Sequence, residues 1–192
     1  MATLPDADVN PAALQHVEVI AGEIRRLDEV VQGFLKFTRP EDLKLQPVDL
    51  PALFDDVLPV VRPEAERNGV TLSVACGDAP KVNGDPAMLR QAVLNLALNA
   101  CQAMPHGGTL DIRGEAARDG RVAISFADTG VGIKPEHLER IFNLYFTTKP
   151  KGTGVGLSMV YRTVQMHDGE IEVQSTPGAG TTFRVLLPQA SQ

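Results

Sequence analysis

Asn95 and Asn99 lie four residues apart in a stretch with helical spacing, so their side-chain amides share one helix face. An amide oxygen is a neutral, hard ligand that suits Mg²⁺ where phosphates already supply negative charge. Asp128 ends an alternating segment and is followed by Thr129-Gly130-Val131-Gly132-Ile133. A carboxylate there can accept a hydrogen from the exocyclic amino group of adenine. It would repel the oxygen that guanine carries at the same position. Gly130 and Gly132 leave bare backbone against which a base could lie. Gly152-Thr153-Gly154-Val155-Gly156-Leu157 precedes a helix, and N–H groups at a helix N-terminus attract phosphate oxygens. No Gly-Lys-Ser/Thr follows, so this is not a P-loop, and Leu157 stands where a dinucleotide fingerprint needs its third glycine. Taken singly, each block has an ordinary reading: solvated asparagines, a strand-ending aspartate before a turn, a flexible loop. Their order along one chain reads as a nucleotide pocket with a metal position, an adenine-reading carboxylate and a phosphate loop.

The elements that must position these residues follow from periodicity. Residues 86–104 are predicted helical, with Leu89, Val93, Leu96 and Ala100 on one face, and Pro105-His-Gly-Gly108 stops them. Residues 109–116 and 122–127 alternate around Arg118-Asp-Gly-Arg121, which predicts a hairpin. Residues 155–167 are predicted to form a helix that starts inside the glycine loop. Residues 170–175 and 182–187 form a second predicted hairpin around Pro177-Gly-Ala-Gly180. Upstream, a short strand falls within 43–50, a helix over 51–68, a strand over 70–75 and a short strand over 81–83. A short helix is expected within 135–142, whereas 143–153 has no clear period. Paired strands with helices before and between them imply an α/β sandwich with a mixed or antiparallel sheet.

Residues 11–38 read as one long helix. Val17, Ile20, Ile24, Leu27, Val31 and Phe34 are spaced 3, 4, 3, 4, 3, a heptad seam that must pack on a partner helix.

Composition bounds the function. The 192 residues are 43% hydrophobic and 22% charged, ordinary for a globular protein. A net charge of -6, with no basic cluster, gives no bulk attraction to nucleic acid or an anionic membrane, so neither is expected as a partner. No apolar run reaches 18 residues, and the first residues do not read as a signal peptide. Cys76 and Cys101 have no motif spacing and are expected as small buried apolar residues in a reducing cytoplasm.

In combination, four stretches resemble the boxes of the sensor histidine kinase catalytic domain. This domain belongs to the superfamily shared with type II topoisomerase ATPase subunits, Hsp90 chaperones and MutL proteins. Residues 84–100 resemble the N box, Asp128–Ile133 the G1 box and Gly152–Ser158 the G2 box. Ile141-Phe-Asn-Leu-Tyr-Phe-Thr-Thr-Lys149 resembles the F box of nitrogen-regulator-type kinases, and Ser175–Phe183 the final glycine hairpin. The resemblance implies the Bergerat ATP-binding fold, a two-layer α/β sandwich with a mixed sheet and helices on one face, behind a long N-terminal helix. It implies ATP and Mg²⁺ as cofactors and Asn99 as the metal ligand. It also implies that Asp128 holds the adenine amino group and Gly132 backs the ring. Thr181 is placed by it in the network around Asp128. Asn95, Asn99 and Lys149 are the implied catalytic set. Gly130, Gly132, Ile133, Thr148, Lys149, Gly152, Thr153, Gly154, Val155, Gly156, Leu157 and Thr181 join Asn99 and Asp128 around the nucleotide. Phe142 and Phe146 are expected to anchor a mobile ATP lid.

One position separates kinase from ATPase. Hydrolysing relatives carry a glutamate one turn before the metal asparagine, where this chain has Asn95, which cannot act as a general base near neutral pH. The implied reaction is γ-phosphate transfer to a histidine and then to the aspartate of a response-regulator receiver domain. None of His16, His106, His137 and His167 stands in the H-E-x-x-x-P pattern of the acceptor. His167-Asp-Gly-Glu resembles a helix-to-strand junction, and His137 is expected to be exposed. Residues 11–40 resemble the second helix of the dimerisation hairpin, with homodimerisation implied for the full-length protein. The first helix is expected to be missing, so this chain alone should not phosphorylate itself. The implied layout is 1–10 disordered or appended, 11–40 the partial hairpin, 41–188 the catalytic domain and 189–192 a tail. Competing readings are an anti-sigma-type serine kinase on the same fold and a degenerate nucleotide-binding module acting through its helix.

Overall fold

The computed structural model describes residues 43–149 and 152–191, together with His16, Val17, Ile20, Ala21, Gly22 and Ile24. The chain divides into two units, Met1–Arg39 and Pro40–Gln192. In the first, the six described residues are helical. Val17, Ile20 and Ile24 of the predicted seam are 61%, 58% and 61% exposed. The rest of the predicted long helix lies outside the described residues.

In the second unit, β1 (Gln46–Val48) pairs antiparallel with β3 (Val82–Gly84). Five further strands make a mixed sheet. They are β2 (Val70–Ala75), β4 (Gly108–Ala116), β5 (Arg121–Asp128), β6 (Glu170–Thr176) and β7 (Gly180–Pro188), in the order β2-β4-β5-β7-β6. Only β2 and β4 run parallel. Three longer helices complete the layer: α1 (Leu50–Arg67), α2 (Pro86–Gln102) and α4 (Gly156–Met166); a single turn, α3 (Pro135–Leu138), precedes the glycine loop.

Alternation on the strands decides which side of the sheet is covered. On β4, Leu110, Ile112 and Gly114 are buried while Thr109, Arg113 and Glu115 are exposed. On β5, Val122, Ile124 and Phe126 are buried. These residues form the core with Leu50, Phe54, Val57 and Val61 of α1, Leu89, Val93 and Leu96 of α2, and Val160 and Val164 of α4. One covered face and one wet face give the two-layer sandwich expected from the sequence. Pro59 and Pro63 lie inside α1, where each removes a backbone donor. The helix persists because Leu53, Phe54, Val57, Val61 and Ala65 are all buried. Cys101 is buried as expected and burial pushes its thiol up to about 11. Cys76 is only half-buried, because β2 is an edge strand and its C-terminal end turns out of the core.

Candidate functional site

Helix α2 starts where it does because Asp85 caps it and Pro86 fits the first turn. Asp85 Oδ1 accepts from Ala87 N–H at 3.0 Å and Met88 N–H at 3.1 Å, and Oδ2 from Lys44 N–H at 3.1 Å. Burial pushes this carboxyl upward, but the bonds from Met88, Lys44 and Ala87 outweigh it and hold it below the usual carboxylate value. While the apolar face of α2 enters the core, Gln91, Asn95, Asn99 and Gln102 follow one another at helical spacing and form a stripe of amides. Gln91 Nε2 donates to Asn95 Oδ1 at 3.3 Å, and Asn95 Nδ2 donates to the Gly156 carbonyl at 3.4 Å. A side chain at Gly156 would meet Asn99 Nδ2 at 3.7 Å. The amide stripe therefore faces the first turn of α4. The first N–H groups of α4 have no side-chain cap, which leaves them able to hold an anion.

Asp128 continues the inward-facing row of Val122, Ile124 and Phe126 by one more step, which puts a carboxylate at a core-facing position. It is 8% exposed and sits opposite Thr181 in the β5–β7 register. Its Oδ1 accepts from Gly130 N–H at 2.9 Å and Thr181 N–H at 3.2 Å. No hydrogen bond reaches Oδ2 among the described residues. Burial pushes the Asp128 carboxyl up, opposed by the Gly130 and Thr181 amides and by Lys149. Ser175 completes the floor: its Oγ accepts from Ile133 N–H at 2.8 Å, donates to the Gly180 carbonyl at 3.1 Å and lies 2.9 Å from Thr181 Oγ1.

The segment between α3 and α4 is closed at its base. Tyr145 N–H donates to the Gly154 carbonyl at 2.9 Å, and Tyr145 itself has φ 67, a conformation a bulky residue adopts only under constraint. Gly154 has φ +68, and a Cβ there would collide with the Tyr145 backbone. Phe142 packs between Tyr161 at 5.3 Å and Phe183 at 6.4 Å. Phe146 lies against His137 at 5.5 Å and under the Arg140 guanidinium at 4.8 Å. Within this segment, Lys149 Nζ donates to Asn99 Oδ1 at 3.0 Å and to Gln102 Oε1 at 2.8 Å. Burial pulls the Lys149 ammonium below the ordinary lysine range, while Asp128 and Glu64 pull it back up.

The structure thus brings Asn95, Asn99, Lys149 and Gly156 together, and groups Asp128, Gly130, Ile133 and Thr181. Several residues differ from expectation in detail. Val155 has a buried side chain and precedes α4 as its N-cap, so only its backbone is available to a ligand. Leu157 packs against the core. Thr148 is exposed, and Gly152 and Thr153 are half-buried. Thr181 meets Asp128 through its backbone N–H; its hydroxyl turns to Ser175. Gly132 is required by the fold itself, since a Cβ there would strike the Thr176 carbonyl. His137, expected to be exposed, is half-buried on Phe146, with Nδ1 buried and without a hydrogen-bond partner. Sequence reasoning missed Gln91 and Gln102, although their helical period with Asn95 and Asn99 was visible. It also missed Ser175 and the use made of His167. His167 is 3% exposed; its Nε2 accepts from Asp85 N–H at 2.8 Å and its Nδ1 donates to the Thr163 carbonyl at 2.6 Å. That side chain ties the start of α2 to the end of α4.

The donor set fits Mg²⁺. Asn99 Oδ1 already receives a cationic group, the Lys149 ammonium. Among the described residues no group of three or more His, Cys, Asp or Glu could cage a metal. An ion held mainly by phosphate oxygens and water, with one amide ligand, is the arrangement such a site suits.

Known proteins share this fold. Residues 84–191 match the family described as histidine kinase-, DNA gyrase B-, and HSP90-like ATPase. The sensor histidine kinase ZraS of Escherichia coli (strain K12) is 40% identical over 177 residues, covering 92% of this chain and 38% of that protein. The full-length ShkA structure in complex with AMPPNP superposes with a TM-score of 0.83 at 29% identity, covering 97% of this chain and 41% of the other. The mycobacterial sensor histidine kinase MprB superposes at 0.69 with 30% identity, covering 77% of this chain and 99% of the other. The chain therefore spans well under half the length of ZraS and ShkA. Among the described residues no helix is long and apolar enough to cross a membrane. The matched residues, the mixed sheet and the amide-bearing helix agree: this chain belongs to the histidine kinase-, DNA gyrase B- and HSP90-like ATPase family and carries its ATP-binding domain in the sensor-kinase form.

Proposed function

We propose that this domain binds ATP with Mg²⁺ and delivers the γ-phosphate to a histidine imidazole, from which a response-regulator aspartate takes it. The observation that carries the reading is the pairing of two groups. Asn99 Oδ1 takes a cationic group, and that same cation is near enough to Asp128 to feel its charge. Asp128 Oδ2 would accept the adenine amino hydrogen, and Asn99 would hold the metal. The uncapped start of α4 and Lys149 would neutralise charge on the phosphates. The metal, when bound, offsets developing charge on the transferred group. Asn95 is an amide engaged with Gly156, so it takes no proton from water, and the pocket favours transfer over hydrolysis. The imidazole nitrogen forms a bond to the γ-phosphorus as the bond to the bridging oxygen breaks, and ADP leaves. Positioning and charge neutralisation supply the catalysis.

The exposed Val17, Ile20 and Ile24 support homodimer formation through the N-terminal helix in the whole protein. The cytoplasm, where ATP and receiver domains occur, is the proposed location. The test mixes this domain with γ-labelled ATP, Mg²⁺ and a helical hairpin bearing an H-E-x-x-x-P histidine from a close relative. Acid-labile, base-stable label on the hairpin is expected. Release of inorganic phosphate with none on histidine would overturn the reading.

A further inference from the structure

We infer that Lys149 is an internal occupant of the metal position, and that Gln102 is the positioning residue that holds it there. The inference rests on the proposed nucleotide site. Lys149 Nζ donates to two amide oxygens of α2: Asn99 Oδ1 at 3.0 Å and Gln102 Oε1 at 2.8 Å. These residues are three apart on the helix, so both oxygens point to one side and converge on a single ammonium. The first oxygen is the one assigned to Mg²⁺. An ammonium and a divalent ion cannot share it without strong like-charge repulsion. Metal and nucleotide can therefore enter only if Lys149 leaves Asn99, and its charge is then free to meet a phosphate. Gln102 is neutral and lies beyond the metal asparagine, so its amide adds to the resting state and nothing to the metal-bound one. The consequence is an exchange of cations at one oxygen, with Gln102 setting how readily it occurs.

Two readouts test this, neither of them turnover. The first is the rate at which an amine-acylating reagent modifies Lys149 in the nucleotide-free protein, followed by mass spectrometry against exposed Lys134. Held by two hydrogen bonds and half-buried, Lys149 should react more slowly than Lys134 even though its lowered pKa supplies more free amine, and Gln102→Met should accelerate it. The second is a double-mutant cycle on the affinity for Mg²⁺·ADP. Gln102→Met should tighten binding by about threefold, the scale of one exposed hydrogen bond, and should do nothing in a Lys149→Met background. A purely structural role for Gln102 would act equally in both backgrounds. The inference is overturned if unliganded Lys149 reacts as fast as Lys134, or if the Gln102→Met effect survives in Lys149→Met. Binding lost in Asp128→Asn with no Gln102 effect would sink this inference alone. Absence of Mg²⁺·ADP binding to the unaltered protein, with Lys149 still protected from acylation, would sink the nucleotide reading and leave the Lys149–Gln102 clamp standing.

Discussion

Replacing Asp128 by asparagine changes one atom of the pocket and should change which base it accepts. In the structure Oδ1 is occupied by Gly130 and Thr181 N–H groups at 2.9 and 3.2 Å. An asparagine keeps those bonds only with its oxygen in the same place. Its Nδ2 then stands where Oδ2 was, and a donor faces the amino group of adenine. The charged hydrogen bond is worth roughly 1.5–3 kcal/mol, and the unpaired donors add about 1–2 kcal/mol. Asp128→Asn should thus weaken ADP binding by about 2.5–5 kcal/mol, roughly two to three and a half orders of magnitude. GDP, whose ring presents an oxygen, should bind the variant more tightly than it binds the unaltered domain. The melting temperature should stay level or rise, because burial makes the Asp128 charge costly in the folded state. Calorimetric titration with ADP and GDP, beside a melting curve, reads all three. An ADP affinity within threefold of the unaltered domain, at equal stability, would refute the reasoning.

Further outcomes follow from the same contacts. Asp128 must be ionised to accept from adenine, and burial raises its folded-state pKa above the ordinary 3.8. ADP affinity should therefore begin to fall on acidification at a higher pH than an ordinary aspartate would give, and this step should be missing in Asp128→Asn. Stability runs the other way at this residue, since the folded state holds its proton more tightly and gains as pH falls toward 3.8. Asp85 has a lowered pKa, so its stabilisation is present above 3.8 and is lost as pH falls below it. Asp85→Ala should cost about 1–2 kcal/mol at neutral pH, a fall of roughly 2–8 °C by calorimetry, with Asn at the same position recovering most of it. Gly154→Ala places a Cβ on the Tyr145 backbone at positive φ; it should abolish nucleotide binding while leaving the melting temperature within a few degrees, because Tyr145 is exposed and Gly154 only half-buried.

Much of this fold was legible because its strongest signals are local. The strand predicted over 70–75 is β2 as observed, and the helix predicted over 51–68 is α1 within one residue at each end. Asp49 caps the start of α1 and Gly69 follows its end at positive φ, while Asp85 and Pro86 start α2, all by local rules. Asn95 and Asn99 stood out as paired amides on one helix face, and Asp128 as a carboxylate that ends an alternating strand before a glycine turn. The rest depends on partners distant in sequence. Ser175 meets Ile133 across 42 residues, Lys149 meets Asn99 across 50, and His167 meets the Asp85 amide across 82. No periodicity encodes those meetings; the sheet register and the packing of α2 on α4 create them. His137 illustrates the same limit, since its burial comes from Phe146, which folds back from a segment without a period. Gly132 was read from the sequence as bare backbone for a base; in the structure the Thr176 carbonyl already excludes a side chain there.

In the proposed pocket Asp128 reads adenine while Asn99 exchanges Lys149 for a metal ion. A crystal structure of this domain with AMPPNP and Mg²⁺ tests it most directly. The adenine amino group is expected on Asp128 Oδ2, the metal on Asn99 Oδ1 and Lys149 Nζ withdrawn from Asn99 toward the phosphates. A base bound away from Asp128, or a metal bound while Lys149 still holds Asn99, would contradict it.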